Sequence, residues 1–275
     1  MHSDSFFFIG KQHSVCQDYA RASVGENGPF AILSDGCSGS PDTDFGARIL
    51  VQLFATEVHN FTNLETTTAT EAAFRLGGQA AKLQLKELQL PENSLDATLM
   101  MAAVFSDHAT INVIGDGVVA FIDDDNEIEI IEIEYPSGAP RYLSYWIDDD
   151  RHELYKKEFG TKAIAKRYIL ESSSPETEDD HSSMVYNIAL NSQSCTAVVL
   201  LSDGVHSFQR PVETDTGRTF EPVPTRQVLQ ELLAYKSYKG EFVKRRTKRF
   251  IKEMQKRGWV NNDDLSVAAI YLGEK

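Results

Sequence analysis

Ala197-Val198-Val199-Leu200-Leu201-Ser202-Asp203-Gly204 is an unbroken apolar run that stops on a carboxylate and a glycine. Near the start of the chain, Phe30-Ala31-Ile32-Leu33-Ser34-Asp35-Gly36 does the same. Runs of this length ended by turn chemistry read as strands, so each delivers an aspartate to a strand end, where a fold can gather several. Gln17-Asp18 and Asp263-Asp264-Leu265-Ser266 also sit beside strand-forming residues. Carboxylates gathered within a few ångströms raise one another's pKa unless cations of similar total charge stand between them. For such a cation the chain offers oxygen and little else. Cys16, Cys37 and Cys195 are scattered, and the seven histidines form no HExxH or related cluster. That pattern points to Mg²⁺ or Mn²⁺ and away from zinc.

Outward from these segments, Phe6 to Ile9 reads as a further strand. Asp42 to Phe61 carries Phe45, Ile49, Leu50, Leu53, Phe54 and Val58 at helical spacing, with Asp42 or Thr43 as its cap. A second helix is expected from about Ala69 to Leu88. Thr98 to Phe105, Thr110 to Ile114, Val118 to Ile122 and Ile128 to Ile133 are short apolar strands. Turns at Ser106-Asp107-His108, Gly115-Asp116-Gly117 and Asp123 to Asn126 separate them, a pattern that predicts an antiparallel meander and argues against a Rossmann-type sheet. Residues 135–183, with Pro136, Gly138, Pro140 and the polar stretch Ser172 to Asp180, read as a variable, exposed excursion, partly mobile and facing the substrate. Strands resume at Met184 to Leu190, Ala197 to Leu201 and Ser266 to Leu272. Helices are expected around Thr225 to Tyr235 and Glu241 to Gln255. No internal repeat or clean linker interrupts the chain, and the acidic segments come from both of its ends, so a single domain over 1–275 is expected.

With 275 residues, 41% of them hydrophobic, the chain can bury a sizeable core. A net charge of −14 argues against general nucleic-acid or anionic-membrane binding. No apolar run reaches the ~20 residues of a membrane span. Met1 to Gly10 lacks a basic flank and a cleavage site, and the odd, scattered cysteines suit a reducing cytoplasm. One segment runs against the acidic whole. Ten Lys and Arg residues cluster in 236–257, to be read as a solvated helix face with Phe242, Phe250, Ile251 and Met254 inward, or as a docking surface for an acidic partner.

Six short signatures in order give the chain a resemblance. They are Cys16-Gln17-Asp18, Asp35-Gly36, Asp96-Ala97-Thr98, Gly115-Asp116, Ser202-Asp203-Gly204 and Asp263-Asp264-Leu265-Ser266. Together they resemble the metal-dependent type 2C protein phosphatases, the PPM family, of bacterial type. The resemblance implies an α+β fold, an αββα sandwich of two antiparallel sheets flanked by helices. It also implies hydrolysis of phosphoserine or phosphothreonine in protein substrates by a water that Mn²⁺ or Mg²⁺ acidifies. By the same resemblance Asp35 bridges two ions, with the Gly36 carbonyl, Asp203 and Asp263 completing their shell and Asp18 holding coordinated water. Asp116 with Asp203 corresponds to a weaker third-ion position, although a Gly-Asp-Gly hairpin explains Asp116 equally well. The family's phosphate-clamping Arg is replaced by His13, which binds phosphate or acts as general acid unless Lys11 or Arg21 supplies the charge. The turn Gly36-Cys37-Ser38-Gly39-Ser40 also departs from the family pattern. A phosphatase-like binding or regulatory module with weak turnover is the alternative.

Overall fold

The structure, a computed structural model, describes residues 1–25, 28–58, 67–105, 108–172, 176–192, 195–215 and 217–273. Two antiparallel sheets stack face to face. The larger has seven strands in the order β1 (His2–Phe8), β15 (Leu265–Tyr271), β11 (Ala197–Leu201), β6 (Gly117–Ile122), β7 (Ile128–Glu134), β8 (Ala163–Ile169) and β9 (Thr177–His181). The smaller has five, in the order β10 (Tyr186–Asn191), β5 (His108–Ile114), β4 (Leu99–Val104), β3 (Gly28–Ser34) and β2 (Tyr19–Gly25).

Side-chain alternation along each strand builds three cores from these two sheets. Ala31 and Leu33 of β3 point inward to meet Val119 of β6, Val198 and Leu200 of β11 and Ala268 of β15 between the sheets. Phe30 and Ile32 point outward, against Leu50, Val51 and Phe54 of helix α1 (Thr43–Thr56) and Phe74 of α2 (Thr67–Glu87). Val199 and Leu201 point out of the other sheet, against Val228 of α5 (Thr225–Leu232) and Phe250 of α6 (Phe242–Lys256). Both faces of the central strands are therefore covered, which is why they read as continuous apolar runs rather than alternating ones. The αββα sandwich expected from the sequence is present. On α6 the buried stripe is Phe242, Val243, Thr247, Phe250 and Met254, with Ile251 partly covered, so the charged residues take the outer face.

Several local expectations need correction. The strands from Leu99 to Glu134 do not form one meander: β4 and β5 belong to the small sheet and β6 and β7 to the large one. Gly115-Asp116-Gly117 is thus the crossover between sheets and not a hairpin. Gly115 (φ 85°) and Gly117 (φ 141°) take backbone conformations that a side chain would strain. A Cβ on Gly115 would also lie 2.9 Å from Thr98 Cγ2. A third, small sheet of β12 (Phe208–Thr214), β13 (Gly217–Pro222) and β14 (Val260–Asn261) was not expected. The strands β2, β8 and β9 were also missed; they carry arginine, lysine or acidic residues that break the apolar pattern. Asp42 stands at the start of α1 with φ 54° but forms no side-chain cap. The end of that helix, expected at Phe61, and the turn residues Ser106 and Asp107 lie outside the described residues.

Residues 135–183 are not an exposed excursion. Tyr135, Arg141, Tyr142, Leu143, Ile147 and Tyr155 are buried. Here α3 (Leu143–Ile147) packs on α2, α4 (Asp149–Phe159, capped by Asp148) packs on α3 and reaches α2 through the Asp149–Arg75 ion pair, and β8 and β9 extend the large sheet. Residues 173–175, within the stretch expected to be mobile, lie outside the described residues. No helix among the described residues is long and apolar enough to cross a membrane.

The registers bring five acidic positions to one end of the sandwich. Leu201 pairs with Val267 and with Val118, Tyr19 pairs with Ser34, and Leu99 pairs with Ile114. Asp18, Asp35, Asp116, Asp203 and Asp263 follow or precede those residues. The same end is fastened by α1, whose Gly46 touches the 3₁₀ turn Glu92–Leu95 so closely that a Cβ would lie 1.6 Å from the Ser94 carbonyl oxygen. Gly46→Ala is expected to lower unfolding free energy by about 1–3 kcal/mol, and the melting temperature by several degrees. Unchanged thermal melting would mean that this contact is loose.

Candidate metal centre

Asp18, Asp35 and Asp203 meet at the base of a pocket, Asp18 buried and the other two partly exposed. Asp18 is fully buried, and its Oδ2 accepts a hydrogen bond from Ser202 Oγ at 2.7 Å. Its Oδ1 is buried with no partner. Asp35 reaches both Asp18 and Asp203 at hydrogen-bonding range. Two carboxylates cannot both accept across such a gap without a proton or a cation between them. Burial accordingly raises the Asp18 carboxyl to about 7, against the lowering effect of hydrogen bonds from neighbouring side chains. Burial and the charges of Asp18 and Asp203 hold Asp35 well above the usual carboxylate range. Asp116 is raised to about 8 by burial and by Asp203, and Asp263 is raised by the same two causes.

The backbone around these groups is set by close approach. The Asp35 N–H donates to Thr98 Oγ1 at 3.0 Å, and the Thr98 N–H returns to the Asp35 carbonyl at 2.8 Å. Gly36 packs on Thr43, where a Cβ would meet Thr43 Cβ at 2.8 Å; Gly204 packs on the Asp264 carbonyl oxygen, 1.7 Å from where a Cβ would stand. Glycine at both positions lets the strand ends converge. Asp96, almost fully buried, receives Ser40 Oγ (2.7 Å), Ser144 Oγ (2.6 Å) and both oxygen contacts of Arg151 Nη2 (2.9 and 3.0 Å). It thereby ties the turn after Asp35 to α3 and α4.

Above the carboxylates lies a pocket of about 220 Å³ lined by Asp35, Gly36, Asp116, Asp203 and Asp263, together with Thr98, Cys37, Ser38, Gly138, Pro140 and Tyr142. A second pocket of about 270 Å³ shares Asp116 and Asp203 with it and is lined by Glu134 and His206 as well. Of the residues expected from the sequence, Asp35, Gly36, Asp116, Asp203 and Asp263 line the first pocket, and Asp18 stands behind Asp35. His13 sits at the rim, Nε2 3.2 Å from Ser38 Oγ and 3.6 Å from Asp263 Oδ1, Nδ1 3.0 Å from Asp264 Oδ2. That Nδ1 contact has ion-pair distance but not the alignment of a hydrogen bond. Burial alone would pull the His13 pKa down, but Asp264, Asp263 and Asp18 outweigh it and the net shift is upward. Lys11 and Arg21 do not line the pocket; Arg21 instead donates to Gln52 on α1 at 2.7 Å.

Two residues escaped the sequence reading. Asp264 is buried and accepts from Gly10 N at 2.7 Å and Gln17 N at 2.5 Å, so it folds the segment 10–17 across the centre and carries His13 with it. Its doubled acidic signature with Asp263 was the available signal. Tyr142 had none, since only packing brings it to the pocket. Cys16 and Cys37 flank the site, and burial with nearby Asp264 and Asp18 pushes the Cys16 thiol up to about 12, away from thiolate reactivity.

A model of the family described as protein phosphatase 2C matches residues 10–237. The chain belongs to the protein phosphatase 2C family. It is a metal-dependent protein phosphatase, with Mn²⁺ or Mg²⁺ as cofactor and phosphoproteins as substrates. Among solved structures it is similar to the Mycobacterium tuberculosis serine/threonine phosphatase PstP/Ppp (16% identity over 99% of this chain and 98% of that one, TM-score 0.54). It is also similar to Stp1 from Staphylococcus aureus (13% identity over 98% and 94%, TM-score 0.53). A further similar structure is the catalytic domain of PstP in complex with two manganese ions (15% identity over 98% and 96%, TM-score 0.51). At these identities the likeness shows the shared fold. No curated protein matches the chain.

The residues of this protein phosphatase 2C centre fit hard divalent cations. The donors are oxygens only, Asp18 has a buried oxygen without a partner, and Asp35 is crowded by two like charges. Among the described residues no group of three or more carboxylate, histidine or cysteine side chains is drawn together closely enough to hold a metal ion by itself. An open pocket with few protein ligands suits an ion such as Mg²⁺ that keeps several waters. In EDTA, Asp35→Asn is expected to melt above wild type, because a neutral isostere replaces a carboxylate crowded by Asp18 and Asp203. Mn²⁺ at about a hundredfold its Kd should then raise wild-type stability by about 2.7 kcal/mol and leave the variant nearly unmoved. Equal Mn²⁺ shifts in both would remove Asp35 from the metal site.

Proposed function

We propose that this phosphatase hydrolyses phosphoserine and phosphothreonine at the pocket above Asp35, and that the whole chain acts as one unit in the cytoplasm. One observation carries the reading: Asp35 lies within reach of both Asp18 and Asp203 on the floor of an open pocket, a crowding that divalent cations relieve. The single unit is supported by the origin of the site, whose side chains run from His13 to Asp264. The compartment is supported by three free cysteines.

Asp35, Asp203, Asp263 and the Gly36 carbonyl would hold two cations, Asp18 would orient water beside them, and Asp116 with Asp203 would offer a weaker third position. Bound there, the cations acidify water and neutralise charge on the phosphoryl oxygens. His13 faces the pocket rim through Nε2, while Asp264 fixes the other side of its ring. Protonated, it contacts the phosphoryl group and donates a proton to the departing serine or threonine oxygen. Ser38 and Gln17 steady that edge: Ser38 Oγ donates to Gln17 Oε1 at 2.9 Å, and Gln17 Nε2 donates to Thr43 Oγ1 at 2.8 Å. Pro140 and Tyr142 narrow the entrance and exclude water from one side. Tyr142 is held there by rings 5.6 Å away at Tyr145 and, beyond it, 5.1 Å at Tyr155. The outward basic face of 236–257 suits an acidic partner, and the net negative charge disfavours nucleic acid and anionic membranes.

Hydrolysis of p-nitrophenyl phosphate and of a phosphothreonine peptide is expected with Mn²⁺ or Mg²⁺ and not with EDTA. Asp35→Asn and Asp203→Asn should each lose at least about 10²–10³-fold in kcat. His13→Ala should lose about 10²–10⁴-fold on the peptide and less on the aryl phosphate, whose leaving group needs no proton. Turnover that survives EDTA, or is unchanged in both Asp variants, would overturn the assignment.

A further inference from the structure

The α5–α6 connection and the first two turns of α6 enclose a small pocket remote from the metal centre. Lys244 N donates to Asp4 Oδ2 at 3.0 Å, and Asp4 pairs with Ala269, so α6 begins four strand positions beyond Leu265. At the rise of an antiparallel strand that is roughly 13 Å from the acidic end of the sandwich. The pocket measures about 40 Å³, room for a few waters or one tetrahedral oxyanion at the ~10–15 Å³ that a water needs. Lys236, Arg245, Arg246, Arg249 and the Tyr235 ring line it, and among the described residues no carboxylate does.

Of the cations on this wall, only Arg246 has an ion-pair partner among the described residues. Arg245 donates to the Ser237 carbonyl (3.0 Å) and the Lys239 carbonyl (3.2 Å), so it holds the loop in place while its charge stays uncompensated. Arg246 is drawn inward, its side chain 12% exposed, and it donates to the Glu231 carbonyl. Its nearest ion-pair partner among the described residues, Glu253, stands 3.7 Å away. Arg246 Nε and the Tyr235 hydroxyl are both buried without a partner. Arg249 and Lys236 are exposed and make no ion pair among the described residues. Burial above all draws the Arg246 pKa downward, with Arg249 adding to it and Glu253 and Glu231 opposing it.

Several guanidinium and ammonium groups around one pocket without a lining carboxylate repel one another, and an oxyanion bound there offsets that cost. Guanidinium forks match a phosphoryl group bidentately. The remaining cations of α6, among them Lys248, Lys252 and Lys256, continue outward from the pocket as the basic pole of an otherwise acidic chain. A polypeptide carrying a phosphate fits that extended field better than a lone ion does.

We propose that this pocket docks a phosphorylated side chain of a substrate or partner protein, apart from the site of hydrolysis. The identity of that partner as a phosphoprotein rests on the reading of the metal centre; the anion pocket itself does not. The test is calorimetric binding, in EDTA, of a phosphoserine peptide and its unphosphorylated counterpart to the full chain. The phosphopeptide should bind, Arg249→Ala should weaken it at least tenfold, and Lys252→Ala, outside the pocket, should stay within twofold. Turnover of p-nitrophenyl phosphate with Mn²⁺ should be the same in Arg249→Ala as in wild type. Unaltered affinity in Arg249→Ala, equal loss in Lys252→Ala, or equal binding of the unphosphorylated peptide would overturn the pocket. Inorganic phosphate binding as tightly as the peptide would overturn docking in favour of a free-anion site. If wild type turned over nothing yet bound the phosphopeptide through Arg249, the pocket would stand and the catalytic reading would fall.

Discussion

Repulsion among Asp18, Asp35 and Asp203 is the interaction around which this molecule is organised. Gathering three carboxylates in one small volume costs free energy that the fold must hold in check, because each is favourable only when a proton or a cation stands between them. The surrounding structure is correspondingly tight. Gly36 lies against Thr43, Gly204 against the Asp264 backbone and Gly115 against Thr98, each too close for a Cβ. Ser202 joins the centre from both sides: its hydroxyl donates to Asp18 and accepts from the Ser266 N–H at 2.9 Å. Strain of this kind persists at functional sites when the neighbouring structure over-determines it.

That over-determination comes from the sandwich. Three apolar layers cover both faces of the central strands, so the ends of β3, β11 and β15 cannot shift independently. The reactive groups themselves stand on the short segments just past those ends. A rigid scaffold that presents chemistry on its connections is a common division of labour. The segment 135–159 adds the entrance wall. Arg151 reaches Asp96 and lies 4.6 Å above the Tyr145 ring, and the Tyr145 ring in turn packs on Tyr142. Wall and floor are therefore coupled through Asp96, which also fixes the turn that carries Cys37 and Ser38.

Charge is divided as sharply as structure. The acidic residues converge at one end of the sheets, whereas the basic residues of α6 lie over the outer face of the large sheet. The apolar stripe of that helix is buried and its cations have only Glu241 and Glu253 among them. A global charge of −14 thus conceals two opposite fields. The negative one suits metal ions, and the positive one suits the phosphorylated chains on which such an enzyme acts.

Much of this was legible in the sequence. Apolar runs ending in Asp-Gly fixed the identity of the strands and the placement of Asp35 and Asp203, because a strand buried on both faces must be apolar throughout and must stop where a charge appears. Six ordered signatures carried the family. The crossover at Gly115-Asp116-Gly117 was not legible, since two glycines around an aspartate suit a hairpin as well as a bridge between sheets; only the pairing partners of β5 and β6 decide. The polar strands β2, β8 and β9 were hidden because an edge or half-covered strand needs no apolar signal. Tyr142 and the Arg245, Arg246 and Arg249 pocket became visible only in three dimensions. Sequence determines which residues are driven inward and which can hold a charge, through hydrophobicity and local propensity. Which of those charges come to stand against one another is decided by tertiary packing, because the meeting groups lie far apart along the chain and their energies depend on distance and burial.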